Sequence, residues 1–160
     1  MTSLLSSLAN LLAILSSLLG LQQTLTQTQT PTIINAITVS TLATTTLSIG
    51  GINIIVEIAD TDTARARGLS RRTTLGENRG MLFVFDFADY HSFWMKEMNF
   101  PLDIIWLDDD WRVVDITENV LPKYFPKIYQ PRALARYVLE VKSGFTSAHH
   151  ITVGAQVVSL

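Results

Sequence analysis

At residues 93–120 the chain reads FWMKEMNFPLDIIWLDDDWRVVDITENV, and this stretch decides the fold. Ile104–Leu107 is apolar at every position, which is typical of a central strand that is buried on both faces. Ser92–Met98 is equally rich in large apolar side chains, so we expect a neighbouring strand with Trp94 in the core and Trp111 more exposed. A turn brings the second strand back beside the first, and these two strands form the centre of the predicted core.

Outside this stretch the sequence predicts further strands and short helices. Gly50-Gly51 separates two β-branched runs, which indicates a hairpin. Asp60–Thr63 offers N-cap residues for a short helix, and Gly68 ends that helix with a left-handed conformation. The predicted strands are Leu42–Ile49, Ile52–Ala59, Met81–Phe85, Ser92–Met98, Leu102–Leu107, Arg112–Thr117, Ala135–Val141 and Ala155–Ser159, with one or two helical turns within Ser143–His150. We therefore predict an α+β, β-rich fold: a compact rolled or barrel-like, mostly antiparallel sheet of about eight strands with two short helices.

The N-terminal third of the chain carries no charge, because all 12 basic and 14 acidic residues lie from Glu57 onward. Residues 4–21 are rich in leucine, and as a helix of about 1.5 Å per residue they reach roughly 27 Å, just enough to cross a thin hydrocarbon core. We predict that residues 1–21 form a signal-anchor or transmembrane segment. A cleaved signal peptide and a soluble helix that buries its leucines in an oligomer remain alternatives.

The rest of the composition sets the domain boundaries and excludes several chemistries. Residues 22–41 are dominated by Gln and Thr and are predicted to be a linker, which leaves residues 42–160 as the globular domain. We accordingly expect a membrane-anchored or extracytoplasmic protein. A net charge of −2 excludes a global electrostatic attraction to nucleic acid. The absence of cysteine excludes disulfides, a thiolate nucleophile and cysteine-based metal sites.

Four pieces of the globular part carry a family resemblance. They read IVEIADTDTARARGLSRR (residues 55–72), NRGMLFVF (residues 78–85), the central stretch at residues 93–120, and ARYVLEVKSGF (residues 135–145). The most specific motifs are RGL followed by GMLF, FWMK with PLDI, and YVLEV with a following Gly. In this order and spacing the chain, from about Gly51 to Val158, resembles the DUF192 family of uncharacterised bacterial and archaeal proteins.

The resemblance implies a compact β-rich domain with short helices, often preceded by a signal or membrane segment. The family has no established activity, so no catalytic role can be transferred to this chain. Two positions depart from the family pattern. Lys142-Ser143 stands where Asn-Ala is frequent, and Gly154-Ala155 stands where Gly-Asp is frequent, which removes a carboxylate.

A charged cluster is predicted on the central strands. Lys96 and Asp103 lie on apolar strands on either side of a turn, so we expect them to be neighbours. Such a pair is either the floor of a pocket for a polar ligand or a partly buried ion pair that fixes the hairpin register. Arg136 and Glu140 share one face of their strand, and together with Glu118 they complete the charged part of the candidate ligand-binding set.

Tyr124 and Tyr129 are the aromatic members of that set, and they belong to a long loop, LPKYFPKIYQPRAL, at residues 121–134. Three prolines and three aromatic residues in this segment predict an ordered loop. Its basic and aromatic side chains are suited to stacking on sugars or holding anionic groups. The alternative is a loop that caps one end of the barrel and buries its aromatic rings.

Known catalytic and metal-binding motifs are missing from the sequence. It contains no G-x-S-x-G, no H-E-x-x-H and no phosphate-binding glycine loop. His149 and His150 are adjacent and therefore point apart, so we predict no metal site and no cofactor. A group of five arginines lies between Arg65 and Arg79, but without interleaved aromatic residues, and we expect no nucleic-acid partner.

These observations predict a membrane-tethered or extracytoplasmic domain that binds a small ligand or a protein partner, and they favour binding over catalysis. One alternative is an enzyme that acts on a polar substrate through Lys96, Asp103 and Glu140. A second alternative is a purely structural, envelope-associated module.

Overall fold

The computed structural model describes residues 42–160, and within them it contains nine strands, two short α-helices and one 3-10 turn. The predictions for residues 1–21 and for the linker at residues 22–41 lie outside the described residues. The elements are β1 (Thr44–Ile49), β2 (Ile52–Ala59), α1 (Asp62–Arg67), β3 (Arg79–Asp89), β4 (Phe93–Trp94), β5 (Leu102–Leu107), β6 (Val113–Val120), the 3-10 turn Pro122–Tyr124, β7 (Ile128–Tyr129), β8 (Ala135–Lys142), α2 (Phe145–Ala148) and β9 (Val157–Ser159).

Seven strands form one curled sheet in the order β6-β5-β8-β3-β2-β1-β9, and β4 and β7 form a small second sheet. Neighbours in the large sheet are antiparallel except β2 and β3, which run parallel and are connected through α1. A bridge between Arg112 and Gln156 joins the segment before β6 to the segment before β9, so the two edges of the sheet approach each other there. The predicted β-rich, mostly antiparallel and barrel-like fold with two short helices is confirmed.

The central strands β3, β5 and β8 contribute alternate residues to two hydrophobic clusters, one on each face of the sheet. One cluster contains Met81, Ile104 and Val138 and is covered by α1, so we call this side of the sheet the α1 face. The other cluster contains Ile105 and Leu139 and is covered by α2, so we call that side the α2 face. All six residues of β5 are buried, as expected for a central strand.

Thr61 and Gly68 bound α1 as predicted, but Gly68 does not adopt the predicted left-handed helical conformation, because its φ is positive while its ψ lies far from the left-handed helical value. The Thr61 side chain caps the helix by accepting a hydrogen bond of 3.2 Å from the Ala64 backbone N–H. Gly68 ends the helix with φ +48° and ψ −135°, and a Cβ atom at this position would lie 3.3 Å from the Phe83 ring. Glycine is therefore required here both by the backbone conformation and by the close packing of the chain on β3.

The prediction that Trp94 belongs to the core is wrong. Its side chain is 52% exposed, whereas Trp106 is completely buried. Trp111, which was expected to be more exposed than Trp94, is half-buried and stacks on the Tyr137 ring with centroids 4.3 Å apart. The reason is that β4 does not join the large sheet: it pairs only with β7, where Trp94 lies opposite Ile128.

Candidate functional site

A cavity of about 300 Å³ lies on the α1 face, between α1 with its following turn and the strands β3 and β4. The cavity is walled by aromatic side chains and has one carboxyl group, Glu140, in its lining. The lining residues are Arg65, Ala66, Arg67, Gly68, Leu69, Ser70, Phe83, Phe85, Ser92, Phe93, Trp94, Met98 and Glu140.

The aromatic walls follow from strand alternation. Phe83 and Phe85 are two residues apart on β3, so both side chains point to the same face. Phe93 on β4 packs edge-to-face against Phe83, with centroids 4.8 Å apart, and against Trp106, with centroids 5.3 Å apart. These contacts hold the wall rigidly against the core, while Trp94 beside it stays half exposed at the cavity mouth.

Glu140 is placed in the cavity by the register of β8. It lies opposite Met81 on β3 and opposite Ile104 on β5, and both neighbours belong to the apolar cluster of the α1 face. Only 5% of Glu140 is exposed, and no described residue donates a hydrogen bond to its side chain or pairs with it as a cation. Every fully enclosed side-chain oxygen among the described residues has a hydrogen-bond partner. The Glu140 oxygens have none, so they are not fully enclosed and can be reached from the cavity.

Burial in this apolar environment raises the pKa of Glu140 to about 8. The cause is loss of hydration, which penalises the carboxylate and leaves the neutral acid favoured. At neutral pH Glu140 is therefore mainly a carboxylic acid, with one O–H donor and a carbonyl acceptor side by side. The cavity thus presents an uncharged polar group at the end of an aromatic enclosure.

Arg65 contributes to the cavity wall, but its guanidinium N–H groups form hydrogen bonds within the protein. Its guanidinium donates 2.7 Å hydrogen bonds to the carbonyl oxygens of Asp60 and Val84 and pairs with Asp62 at 2.6 Å. It also lies 5.2 Å from the centroid of the Phe85 ring, on which His91 stacks at 3.5 Å. Loss of hydration is the main reason that the pKa of His91 is below its ordinary value.

Asp103 is also buried, but it faces the opposite side of the sheet. Its carboxylate accepts four hydrogen bonds: from the Asn119 N–H at 2.9 Å, the Gly144 N–H at 3.1 Å, the Thr146 N–H at 3.0 Å and the Thr146 hydroxyl at 2.7 Å. These donors connect β5 to the end of β6 and to the start of α2. The side chain is completely buried and is not part of the cavity lining.

The predicted Lys96–Asp103 neighbourhood is therefore wrong. Lys96 is exposed in the turn after β4 and lines a second, adjoining cleft that shares Ala66, Arg67 and Ser70 with the cavity. The pair fails because β4 does not pair with β5, so the two strands around the turn are not a hairpin. Lys96, Asp103 and Glu140 consequently occupy three different environments.

Glu118 and Arg136 also lie apart from Glu140. Glu118 lies 2.8 Å from the Thr146 hydroxyl, whose single proton it shares with Asp103, and this places Glu118 beside Asp103 rather than in the cavity. Arg136 shares the α1 face of β8 with Glu140, but its guanidinium pairs with Asp109 at 3.1 Å and donates to the Phe85 carbonyl oxygen at 3.3 Å.

The two candidate tyrosines differ in exposure. Tyr124 is 47% exposed at the 3-10 turn, whereas Tyr129 is 8% exposed, lies opposite Phe93 in the small sheet and packs into the cluster of the α1 face. Burial raises the pKa of the Tyr129 phenol. Tyr129 thus supports the cavity wall from behind, which agrees with the predicted capping role for part of this loop.

An anchor of the same loop was missed from the sequence. Asp115 on β6 is buried and forms an ion pair with Arg132, whose backbone N–H also donates to it at 2.8 Å. The hydrogen bond from the Arg132 side chain is the main reason that the pKa of Asp115 is lowered. Asp115 lies two residues after the apolar Val113, and both are buried. This period-two spacing along the strand was the available signal.

Residues 42–160 contain no cluster of three or more His, Cys, Asp or Glu side chains able to hold a metal ion. None of their helices has the length and apolar character needed to span a bilayer.

Sequence comparison finds similarity to uncharacterised proteins. A model of the DUF192 family, described as uncharacterized ACR, matches residues 45–159. A UPF0127 protein of Thermococcus gammatolerans is 37% identical over 90 residues, which is 53% of this chain and 53% of that protein, so the match spans about half of that relative. A UPF0127 protein of Pyrococcus abyssi is 33% identical over 107 residues, covering 64% of this chain and 83% of that protein.

Two crystal structures have a similar fold. One, from Sinorhizobium meliloti 1021 and described as a candidate transcription regulator, has a TM-score of 0.71 at 27% identity and covers 74% of this chain and 95% of that chain. The other, from Novosphingobium aromaticivorans and described as a protein of unknown function, has a TM-score of 0.69 at 32% identity and covers 76% of this chain and 89% of that chain.

Proposed function

Since this chain belongs to the DUF192 family, as its motifs predicted, we propose that it is a small-ligand-binding domain held at or outside a membrane by its N-terminal segment. The family description supplies no activity, so the proposal stands on the site itself.

One observation carries the binding function: an aromatic cavity of about 300 Å³ that contains a buried carboxyl group without a partner among the described residues. Cavities of this size that combine apolar walls with few polar groups are typical of small-molecule sites. A buried polar group without a hydrogen bond costs free energy, and a fold that keeps one in a reachable cavity gains when a ligand supplies the missing partner.

The cavity favours binding over catalysis. Glu140 has the neutral form that a general acid needs, but among residues 42–160 no second carboxylate and no histidine lines the cavity. The two hydroxyls in the lining are engaged elsewhere: Ser70 donates to the Lys96 carbonyl oxygen, and Ser92 accepts from the Gln130 amide. The enzyme alternative through Lys96, Asp103 and Glu140 is weakened because these side chains lie in separate environments.

Nucleic-acid binding, which the description of the Sinorhizobium protein raises, has less support in this chain. Three of the five arginines between residues 65 and 79 are ion-paired: Arg65 with Asp62, Arg71 with Glu97, and Arg72 with Glu57. Paired arginines are less available to phosphates, and the whole chain has a net charge of −2. We therefore keep the small-ligand function as the proposal.

The binding function can be tested by ligand-observed NMR, with the full-length protein and a panel of one- and two-ring aromatic compounds. Ala66→Phe places a bulky ring at the mouth of the cavity, because Ala66 is an exposed lining residue of α1. Thr63→Phe is the matched control, since Thr63 is exposed on the same helix but does not line the cavity.

We expect wild type and Thr63→Phe to bind the same compounds and Ala66→Phe to lose them. If no compound binds, or if Ala66→Phe binds them as well as wild type does, the cavity is not the ligand site.

The membrane proposal rests on the uncharged leucine-rich run at residues 4–21. Cell fractionation of the full-length protein tests it, and we expect recovery with the membrane fraction, or cleavage and export. Uncleaved protein recovered in the cytosol without detergent would contradict it.

A further inference from the structure

The polar groups of the cavity are few, and they define what a ligand must offer. Glu140 is the one carboxyl group in the lining, and its oxygens have no hydrogen-bond donor among the described residues. A ligand that fills the cavity without pairing with Glu140 removes its remaining contact with water and leaves it unsatisfied. The ligand should therefore bring a hydrogen-bonding group to the floor of the cavity.

The charges around the cavity disfavour a charged ligand. Arg65 and Arg67 line the same space, so a cationic ligand would approach two like charges before it reached Glu140. An anion that reached Glu140 would find no opposite charge at that neutral carboxyl group, and the Arg65 guanidinium is already paired with Asp62. Both kinds of ligand would also lose hydration in an aromatic enclosure, whereas an uncharged polar group loses much less.

The shape of the walls adds a second requirement. Phe83, Phe85 and Phe93 line the cavity, and Phe93 meets the other two rings edge-to-face. A flat aromatic ligand makes favourable contacts with such rings, and it would direct one edge toward Glu140. A carboxylic acid presents an O–H donor next to a C=O acceptor, and its complement is an edge with an acceptor next to a donor.

We infer that the cavity selects an uncharged, planar cyclic amide, whose edge carries a C=O acceptor beside an N–H donor, and that the Glu140 carboxyl group pairs with this edge through two hydrogen bonds. The inference rests on the proposed ligand-binding function and adds the chemical class of the ligand.

The pH dependence of binding follows from the groups that face Glu140. Arg65 and Arg67 come from α1, while Arg136 and Lys142, on the same face of β8, are paired with Asp109 and Glu77. His91 reaches the site only through the Phe85 ring, and its lowered pKa keeps it neutral above pH 7. Between pH 7 and 9.5, Glu140 is thus the group whose ionisation changes the site.

The test measures the affinity of the full-length protein for two matched probes, 2-quinolinone and N-methyl-2-quinolinone. Both are flat and uncharged, and they differ at one position, where a methyl group replaces the hydrogen of the N–H donor. We expect 2-quinolinone to bind wild type about tenfold more tightly, the equivalent of one lost hydrogen bond to a buried partner. We also expect its affinity to fall by up to about tenfold per pH unit above pH 8, since ionised Glu140 no longer donates.

Two variants separate hydrogen bonding from charge. Glu140→Gln keeps a donor beside an acceptor without a titrating proton, so it should bind 2-quinolinone within about threefold of wild type and show no pH dependence from pH 7 to 9.5. Glu140→Met has an apolar side chain of similar length and should bind both probes equally. Thermal unfolding of each variant confirms that it is folded before affinity is compared.

The outcomes distinguish this inference from the function on which it rests. Equal affinity of wild type for the two probes would overturn the cyclic-amide inference while leaving ligand binding intact. So would loss of binding in Glu140→Gln together with preferential binding of phenethylammonium, because that result indicates recognition of a cation by ionised Glu140. If neither probe binds, and no other aromatic compound binds wild type and is lost in Ala66→Phe, the proposed function itself fails.

Discussion

Asp103 and Glu140 are two buried carboxyl groups on opposite faces of the same sheet, in nearly the same register. Asp103 on β5 lies opposite Val141, the residue next to Glu140 on β8. The fold supplies Asp103 with four hydrogen-bond donors, whereas no described residue donates to Glu140. Both carboxyl groups are buried, so burial does not distinguish Asp103 from Glu140, whereas the presence of hydrogen-bond donors does. Asp103 is satisfied within the fold, whereas Glu140 has no donor among the described residues, and the proposed ligand binding rests on that difference.

The largest effect is expected from Asp103→Leu. The change leaves the backbone N–H groups of Asn119, Gly144 and Thr146 without their acceptor, so we expect a loss of roughly 3–5 kcal/mol in the free energy of unfolding. Urea titration measures it. Asp86→Leu is the control, because Asp86 is exposed on β3. Equal losses of stability in Asp103→Leu and Asp86→Leu would show that the hydrogen bonds to Asp103 do not stabilise the fold.

A somewhat smaller effect is expected from Glu140→Gln as a function of pH. The folded-state pKa of Glu140 is about 8, above its ordinary value of 4.5, so unfolding releases a proton between these values. Wild type should therefore lose stability relative to the variant as pH rises through this window, and the difference should level off above pH 8. From pH 5.5 to 7.5 we expect a change of roughly 3 kcal/mol.

Chemical unfolding of wild type and Glu140→Gln at several pH values measures this difference. The pKa values of Glu57 and Asp115 are lowered, so both groups stay ionised in this window and do not contribute to it. Parallel stability curves for the two proteins would show that Glu140 titrates normally and that the cavity is wet.

Asp115 is a third buried carboxyl group and lies between the two extremes, since its side-chain partner Arg132 is largely exposed. For Asp115→Ala we expect a loss of about 2 kcal/mol at neutral pH, because the N–H groups of Ile116 and Arg132 lose their acceptor. The pKa of Asp115 is lowered in the folded state, so the advantage of wild type should shrink as pH falls below 3.8.

Urea titrations at neutral and acidic pH measure this loss. Asp109→Ala is the control, because the side chain of Asp109 is 60% exposed and pairs with Arg136 on the surface. A loss for Asp115→Ala that stays constant down to pH 2 would contradict the assigned ion pair.

The smallest effect is expected at the mouth of the cavity. Trp94→Ala should cost about 1 kcal/mol or less, because half of the side chain is in water, and it should cost less than Trp111→Ala, which removes the stack on Tyr137. Thermal unfolding compares the two variants. Ligand affinity should respond in the opposite order, and a larger loss of stability at Trp94 would place that residue in the core after all.

The sequence predicted elements well where the determinants are local. Thr61 and Gly68 bound α1 because capping and positive φ depend on neighbouring residues, and β5 was recognisable from its continuous apolar run. β7 was missed because two residues in a proline-rich loop form a strand only when β4 is beside them.

The site was less predictable because it depends on pairing between distant segments. Glu140 was selected as a candidate from its position on an apolar strand, but its neighbours Met81 and Ile104 come from strands that only the sheet order places beside β8. The Lys96–Asp103 pair was inferred from proximity along the chain, and it failed when β4 left the large sheet. The donors to Asp103 lie 16 to 43 positions further along the chain.

The pairing of β1 with β9 has a consequence for how the chain could be rewired. The two strands are antiparallel, and the Leu160 N–H donates to the Thr46 carbonyl oxygen at 3.0 Å. The end of the last strand therefore lies close to the start of the first strand. A short linker from Leu160 to Thr44 could close the chain into a ring, and new ends opened at Gly50-Gly51 would cut no segment that lines the cavity.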